Sequence, residues 1–274
     1  YFKEEAIKWS FEFLTGKKWL NLNPLRIYVT VFEGDKNAPK DNQSIKIWQK
    51  VFKTAGIVAK VGQWQKPNFK QGERIFTYDK RKNWWGPAGQ TGPCGPDTEM
   101  FYDTKKKHQK KFGSYCHPNC DCGRFFEIWN DVFMQYEKKP NNDFVPLKQK
   151  NVDTGLGLER IVSLTEYLEG KIKEPDPFLT HLFIDLIKQI EKLSGQKYQD
   201  HKKAFRIIAD HLRSSVFIIS AGVEPSNKER GYVLRRLIRR SLDQLVILGI
   251  NNNRFLLQSV DFYQKQYASV YPEL

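Results

Sequence analysis

The chain has 274 residues, 40% hydrophobic and 14% aromatic, enough for one large domain or two modest ones with a sizeable core. A net charge of +14, from 45 Lys+Arg against 31 Asp+Glu, favours a polyanionic partner such as nucleic acid. Its apolar runs, such as Val216 to Ile219, fall far short of a bilayer span, YFKEEAIKWSFEFL is no signal peptide, and four cysteines without a secretion signal point to a reducing, cytoplasmic setting.

Residues 3–15 read as an amphipathic helix, with Ile7, Phe11 and Leu14 on one face and Gly16 as the stop. LRIYVTVFE at 25–33 alternates as a strand, SIKIWQKVFKTAG at 44–56 returns to helical spacing, and RIFTYD at 74–79 reads as a strand. Next comes WWGPAGQTGPCGPDTEMFYD at 84–103, whose three Gly-Pro pairs predict a stiff loop that lets backbone approach a ligand closely. Residues 99–103 and 124–137 are predicted strands, separated by the polar insertion KKKHQKKFGSYCHPNCDCG. Beyond 153 helical periodicity takes over, at 157–169, 176–193, 203–220, 228–248 and 254–268, with EGKIKEPDPF at 169–178 as the joint. There is no internal repeat. The order predicts an α+β domain over 1–168 followed by an all-α domain over 169–274.

Four constellations carry chemistry. In FFEIWNDVFMQY at 125–136, strict alternation puts Glu127 and Asp131 on one face with Phe125 and Trp129, and Ile128, Asn130 and Val132 on the other. Acids on an apolar strand need a partner, a metal or a substrate, or else a solvated face. NVDTGLGLERI at 151–161 sets Asp153 at a strand end and glycines 155 and 157 before a new helix. The helix N-terminus and Arg160 suit phosphate; a dinucleotide fingerprint is excluded because the third glycine and a βαβ frame are lacking. The 228–248 helix has Ser226 and Glu229 as an expected capping box, and Arg235/Arg239 and Arg236/Arg240 as rows with few acids beside them. Cys116, Cys120 and Cys122, with His108 and His117 adjacent, could hold tetrahedral zinc, with His117 taken as the fourth ligand, or stay as unliganded thiols; the spacing leaves both open. Cys94 reads as a small packed residue.

Segments 83–103, 124–136, 151–161 and 205–241, in this order and spacing, resemble the alanyl-tRNA synthetases, a family of class II aminoacyl-tRNA synthetases, over essentially the whole chain. The resemblance implies activation of alanine with ATP and Mg2+ to alanyl-adenylate, then transfer to the 3′ end of tRNA(Ala). It implies an alanine site of Trp85, Asn130, Val132, Asp153 and Gly155, with Asp153 on the ammonium. It implies an ATP side of Glu127, Ile128, Gly157 and Arg160, with Arg160 on phosphate. Asn227 matches the asparagine that reads the acceptor-stem G·U pair, with Arg235, Arg236, Arg239 and Arg240 holding the RNA backbone. The fold implied is an antiparallel class II sheet with flanking helices and a helical tRNA-recognition domain. The chain lacks motif 1, most of motif 2, and the editing and oligomerisation regions of that family, so upstream sequence is expected and the sheet is expected to be incomplete. Two readings follow: an alanine–tRNA ligase, or a non-catalytic module that binds the acceptor stem. Oligomerisation of the parent protein stays open.

Overall fold

The computed structural model describes residues 1–66, 69–251 and 254–274. The chain divides into two compact units, Tyr1–Ile161 and Val162–Leu274.

The first unit is built on a mixed sheet. Its strands are β1 (Ile27–Phe32), β2 (Lys60–Gly62), β3 (Glu73–Tyr78), β4 (Trp84–Trp85), β5 (Gly92–Asp103), β6 (Phe125–Lys138) and β7 (Phe144–Leu156). They lie in the order β2-β3-β1-β5-β6-β7, with β4 paired to β5. The β1–β5, β5–β6 and β6–β7 pairs are antiparallel, while β1–β3 and β2–β3 are parallel. Two helices, α1 (Lys3–Thr15) and α2 (Asn42–Thr54), bury Ile7, Phe11 and Leu14 and Ile45, Trp48 and Phe52. Phe11 meets Trp48 and Phe52 edge to face. Trp48 Nε1 donates to Thr98 Oγ1 of β5 at 2.8 Å, which fixes the sheet face that α2 covers. Asp41 caps α2 by accepting from Ser44 N at 3.0 Å, and pairs with buried Lys3 of α1 at 2.7 Å.

Most of the expected Gly-Pro loop is strand. β5 begins at Gly92, so Gly92-Pro93 and Gly95-Pro96 lie inside it. The reason is close packing: a Cβ on Gly95 would stand 1.9 Å from the Phe133 carbonyl oxygen of β6. Pro96 costs little ladder bonding to β6 because the β5–β6 register breaks between Cys94 and Asp97, while Pro93 lies opposite Glu137 near the start of β5.

Helix α3 (Leu158–Leu168) follows β7 directly and carries the division between the units. The second unit continues with α4 (Ile184–Ser194), α5 (Lys202–Ser220), α6 (Glu229–Ile247) and α7 (Arg254–Tyr267). Its core joins Phe183, Ile187 and Ile190 to Phe205, Ile208, Leu245, Phe255 and Tyr263. The helix expected over 176–193 starts only at Ile184. Before it, Asp176 caps a short 3-10 turn at Pro177–Leu179 by accepting from Phe178 N at 3.1 Å. Asp176 also accepts from Tyr198 OH and Arg206 Nη2, each at 2.7 Å, which pins the 169–178 joint to α5.

Candidate functional site

Residues opposite one another in an antiparallel ladder share a face. The β5–β6–β7 register therefore sorts the side chains into two sets. One face carries the rows Asp97–Val132–Asp153 and Glu99–Asn130–Gly155. The other carries Thr98–Asp131–Thr154 and Met100–Trp129–Leu156, on the side covered by α2.

Glu127 and Asp131 do not share a face, contrary to strict alternation. Met100 stands opposite Trp129 and Phe101 opposite Glu127, so Ile128 is an extra residue, a β-bulge. The bulge turns Glu127 to the face of Asp97 and Glu99. Ile128 itself is buried. Asp131 stays on the helix-covered side, where it accepts from Ser10 Oγ of α1 at 2.9 Å and Thr154 Oγ1 of β7 at 2.7 Å. An apolar cavity of about 460 Å³, lined by Trp9, Phe13, Trp19 and Trp129, opens on that same side.

The first face is acidic, with two buried acids beside exposed Asp153. Asp97, 3% exposed, accepts from Asn83 Nδ2 at 3.0 Å. Glu99, 8% exposed, accepts from Thr30 Oγ1 at 2.9 Å and Asn119 Nδ2 at 3.1 Å. Burial, reinforced by the nearby Glu99 charge, pushes Asp97 up to about 8. Burial and then the Glu127 charge push Glu99 up to about 7. Beside them, Asn130 Oδ1 is buried without a hydrogen-bond partner. Such a set of acceptors suits a cationic or donor-rich ligand. Val132 is a buried apolar wall between Asp97 and exposed Asp153, and a Cβ on Gly155 would meet nothing within 4 Å, so space is open there.

Arg160, in the first turn of α3, pairs with Glu127 Oε2 at 2.7 Å and donates to the Glu127 carbonyl at 3.3 Å. The acid and the cation expected on the nucleotide side are thus held together. A Cβ on Gly157 would crowd the Arg160 stem at 3.1 Å. Trp85 sits on β4 opposite Gly95 and is 41% exposed. Its neighbour Trp84 is structural, packed on Phe32, Tyr136 and Phe144. Asp97, Glu99, Asn83, Thr30 and Asn119 escaped the sequence reading. The signal for the two acids was their i, i+2 spacing in PDTEMFYD, which has meaning only once that segment is taken as strand.

A second cluster lies within the Val162–Leu274 unit. Asn227, Tyr232, Arg235, Arg236, Arg239, Arg240 and Asp243 line one cavity of about 460 Å³. The four arginines are exposed, and Arg235 Nη1 donates to Asn227 Oδ1. The expected Ser226–Glu229 capping box does not form. α6 starts at Glu229 with Lys228 as its N-cap, while Ser226 Oγ donates to the Lys228 carbonyl at 3.1 Å. Gly231 permits this turn, because a Cβ there would lie 2.5 Å from the Glu224 carbonyl oxygen.

The thiol cluster also differs from expectation. His108, Cys116, Cys120 and Cys122 place one ligand atom each within 4.8 Å of one another. His117 is not in that group: its Nδ1 is hydrogen-bonded to Tyr78 OH at 2.8 Å and its ring packs on Trp64. Among the described residues no helix is long and apolar enough to cross a membrane.

A mixed sheet with flanking helices, followed by an all-α region, is the architecture of a class II synthetase region. The family model described as tRNA synthetases class II (A) matches residues 1–274, and the chain belongs to that family. It is 46% identical over its whole length to an alanine–tRNA ligase of Treponema denticola and 44% identical to one of Borreliella afzelii, in each case covering 42% of the relative. It is 42% identical to an alanine–tRNA ligase of Thermotoga maritima and covers 28% of it. The chain thus spans less than half the length of these relatives.

Proposed function

We propose that this chain supplies the amino-acid side of an alanine-activating site and an acceptor-stem face of an alanine–tRNA ligase acting in the cytoplasm. The arrangement that carries the reading is the pair of rows Asp97–Val132–Asp153 and Glu99–Asn130–Gly155, flanked by Arg160. Acceptors from Asp153, Asp97 and Asn130 would hold the ammonium of alanine. Val132 and Trp85 would wall a methyl group, and the bare Gly155 would leave it room. Such a pocket selects weakly against glycine and serine, since a methyl-sized difference gives only ~1–3 kcal/mol.

In the first reaction a carboxylate oxygen of alanine attacks the α-phosphorus of ATP and pyrophosphate leaves; in the second the terminal tRNA hydroxyl takes the acyl group and AMP leaves. Arg160, released from Glu127, would receive phosphate oxygens. Glu99 and Glu127 on the same face offer the hard oxygen donors that Mg2+ takes, and the ion would neutralise phosphate charge. Asn227 and the four arginines of α6 would meet the acceptor stem.

The test is alanine-dependent ATP–pyrophosphate exchange by the chain, and by the longer protein when the chain is part of one. Exchange that depends on alanine and is lost in Asp153→Ala supports the reading. Exchange unchanged in Asp153→Ala would falsify it. The arginine cavity lies wholly within one unit, which favours a second reading: salt-sensitive tRNA binding by the chain without exchange.

A further inference from the structure

The loop between β5 and β6, residues 104–124, contributes Asn119 to the acidic face, and its four convergent ligand atoms lie outside the set of groups proposed above to hold alanine and ATP. Cys116 Sγ and Cys122 Sγ are 3.6 Å apart, and Cys120 Sγ and His108 Nδ1 are 3.7 Å apart. Zinc held at about 2.3 Å from sulfur and about 2.0 Å from nitrogen gives tetrahedron edges of ~3.8 Å and ~3.5 Å. These two edges lie within about 0.2 Å of that geometry, and all four ligand atoms lie within 4.8 Å of one another. A disulfide between Cys116 and Cys122 would require the sulfurs to be about 2.0 Å apart.

The histidine supplies a second, independent sign. His108 Nε2 stands 2.9 Å from the Gly113 carbonyl. A proton on Nε2 donated to that carbonyl leaves the Nδ1 lone pair turned toward the thiols. Metal-binding histidines are oriented in this way, by a backbone carbonyl on the far nitrogen. Cys120 and Cys122 are buried, which shields the site from water.

We infer that His108, Cys116, Cys120 and Cys122 form a structural zinc site that fastens the 104–124 loop to the sheet. Four protein ligands close the coordination sphere, so the ion is structural and not a catalyst. Two residues between Cys116 and Cys120 join the fastened loop to the sheet. Asn119, between two of the ligands, donates to Glu99 of β5, and His117 meets Tyr78 of β3. Asn119 is thereby a positioning residue for the buried Glu99 carboxylate.

The experiment uses the purified chain under reducing conditions. Zinc is measured by elemental analysis, then removed and replaced by Co2+. Bound zinc in equimolar amount, with the intense visible bands of tetrahedral cobalt and a thiolate charge-transfer band, is expected. His117→Ala should keep that spectrum, while His108→Ala should weaken cobalt binding about tenfold or more. Absence of the tetrahedral spectrum, or its loss in His117→Ala with retention in His108→Ala, overturns the assignment. Should the variants fail to fold, alkylation of the unaltered chain decides. Zinc must protect Cys116, Cys120 and Cys122, and a chelator must expose them. Equal alkylation with and without zinc overturns the site. Every readout is independent of aminoacylation, so the assignment stands or falls apart from the proposed function.

Discussion

Replacing Asp97 by asparagine tests the claim that the acidic face is under electrostatic strain. Asp97 is raised from its ordinary 3.8 to about 8, chiefly by burial. The full displacement corresponds to ~6 kcal/mol. Relaxation of the surroundings removes much of this, and about 2 kcal/mol is the working figure. The sign is fixed by linkage. Below 3.8 the carboxyl is protonated in both folded and unfolded chains and has no effect. Between 3.8 and about 8 the unfolded chain releases the proton that the folded chain keeps, so stability falls as pH rises, and above about 8 the loss is complete. An asparagine keeps the acceptor for Asn83 and brings a donor that Asn130 Oδ1 lacks. Asp97→Asn should therefore gain on the unaltered chain as pH rises through this window. Urea unfolding followed by tryptophan fluorescence reads it cleanly, because all seven tryptophans lie in the Tyr1–Ile161 unit. A stability gap that stays constant from acid to alkaline pH, or a variant weaker than the parent at alkaline pH, refutes the reasoning. If the face holds an ammonium, saturating alanine should also flatten the pH slope of the unaltered chain.

Gly155→Ala adds a methyl group where nothing stands within 4 Å; unfolding free energy should move by less than about 0.5 kcal/mol. Alanine-dependent exchange should nevertheless fall about tenfold or more, and a parallel loss of fold would show that the space is not a ligand's. Arg239→Ala should weaken acceptor-stem binding at every sequence and lower the salt slope by about 1, whereas Asn227→Ala should keep the slope and lose base-pair discrimination. Filter binding across a salt series separates the two, and equal slopes in Arg239→Ala and the parent would refute the phosphate role. Arg206→Met leaves Asp176, with a side chain only 3% exposed, without its cation. Since Arg206 is itself half-exposed, the expected cost is about 2 kcal/mol. Helical circular dichroism reads it, and a cost near zero would mean that Tyr198 alone satisfies the carboxylate.

What the sequence disclosed and what it hid divide along the range of the interactions. Helices at 3–15, 44–56, 203–220 and 254–268 were legible because their apolar spacing is local and their cores, such as Ile7–Phe11–Leu14, repeat within a few residues. The site residues on β6 and β7 were legible as motifs, yet their common face was not. That face depends on the bulge at Ile128, which is set by the partner strand and leaves no mark in an alternating sequence. The β5 strand was concealed by its prolines. Gly-Pro pairs signal a loop unless one knows that Gly95 must clear the Phe133 carbonyl, a contact made 38 residues away.

The histidine of the thiol cluster shows the same limit at smaller scale. His117 adjoins Cys116 in sequence, and adjacency made it the natural fourth ligand. Neighbouring residues in an irregular loop seldom point the same way, and here His117 turns to Tyr78 while His108 closes the cluster from eight residues before Cys116. The exchange has a physical logic. A histidine whose far nitrogen is anchored by a carbonyl, as His108 is by Gly113, comes already oriented for a metal. His117 is likewise anchored through one nitrogen, by Tyr78, but it lies outside the group of convergent ligand atoms. The ligand set in such a loop is therefore decided by where the chain carries each ring, and that can be read only from the fold.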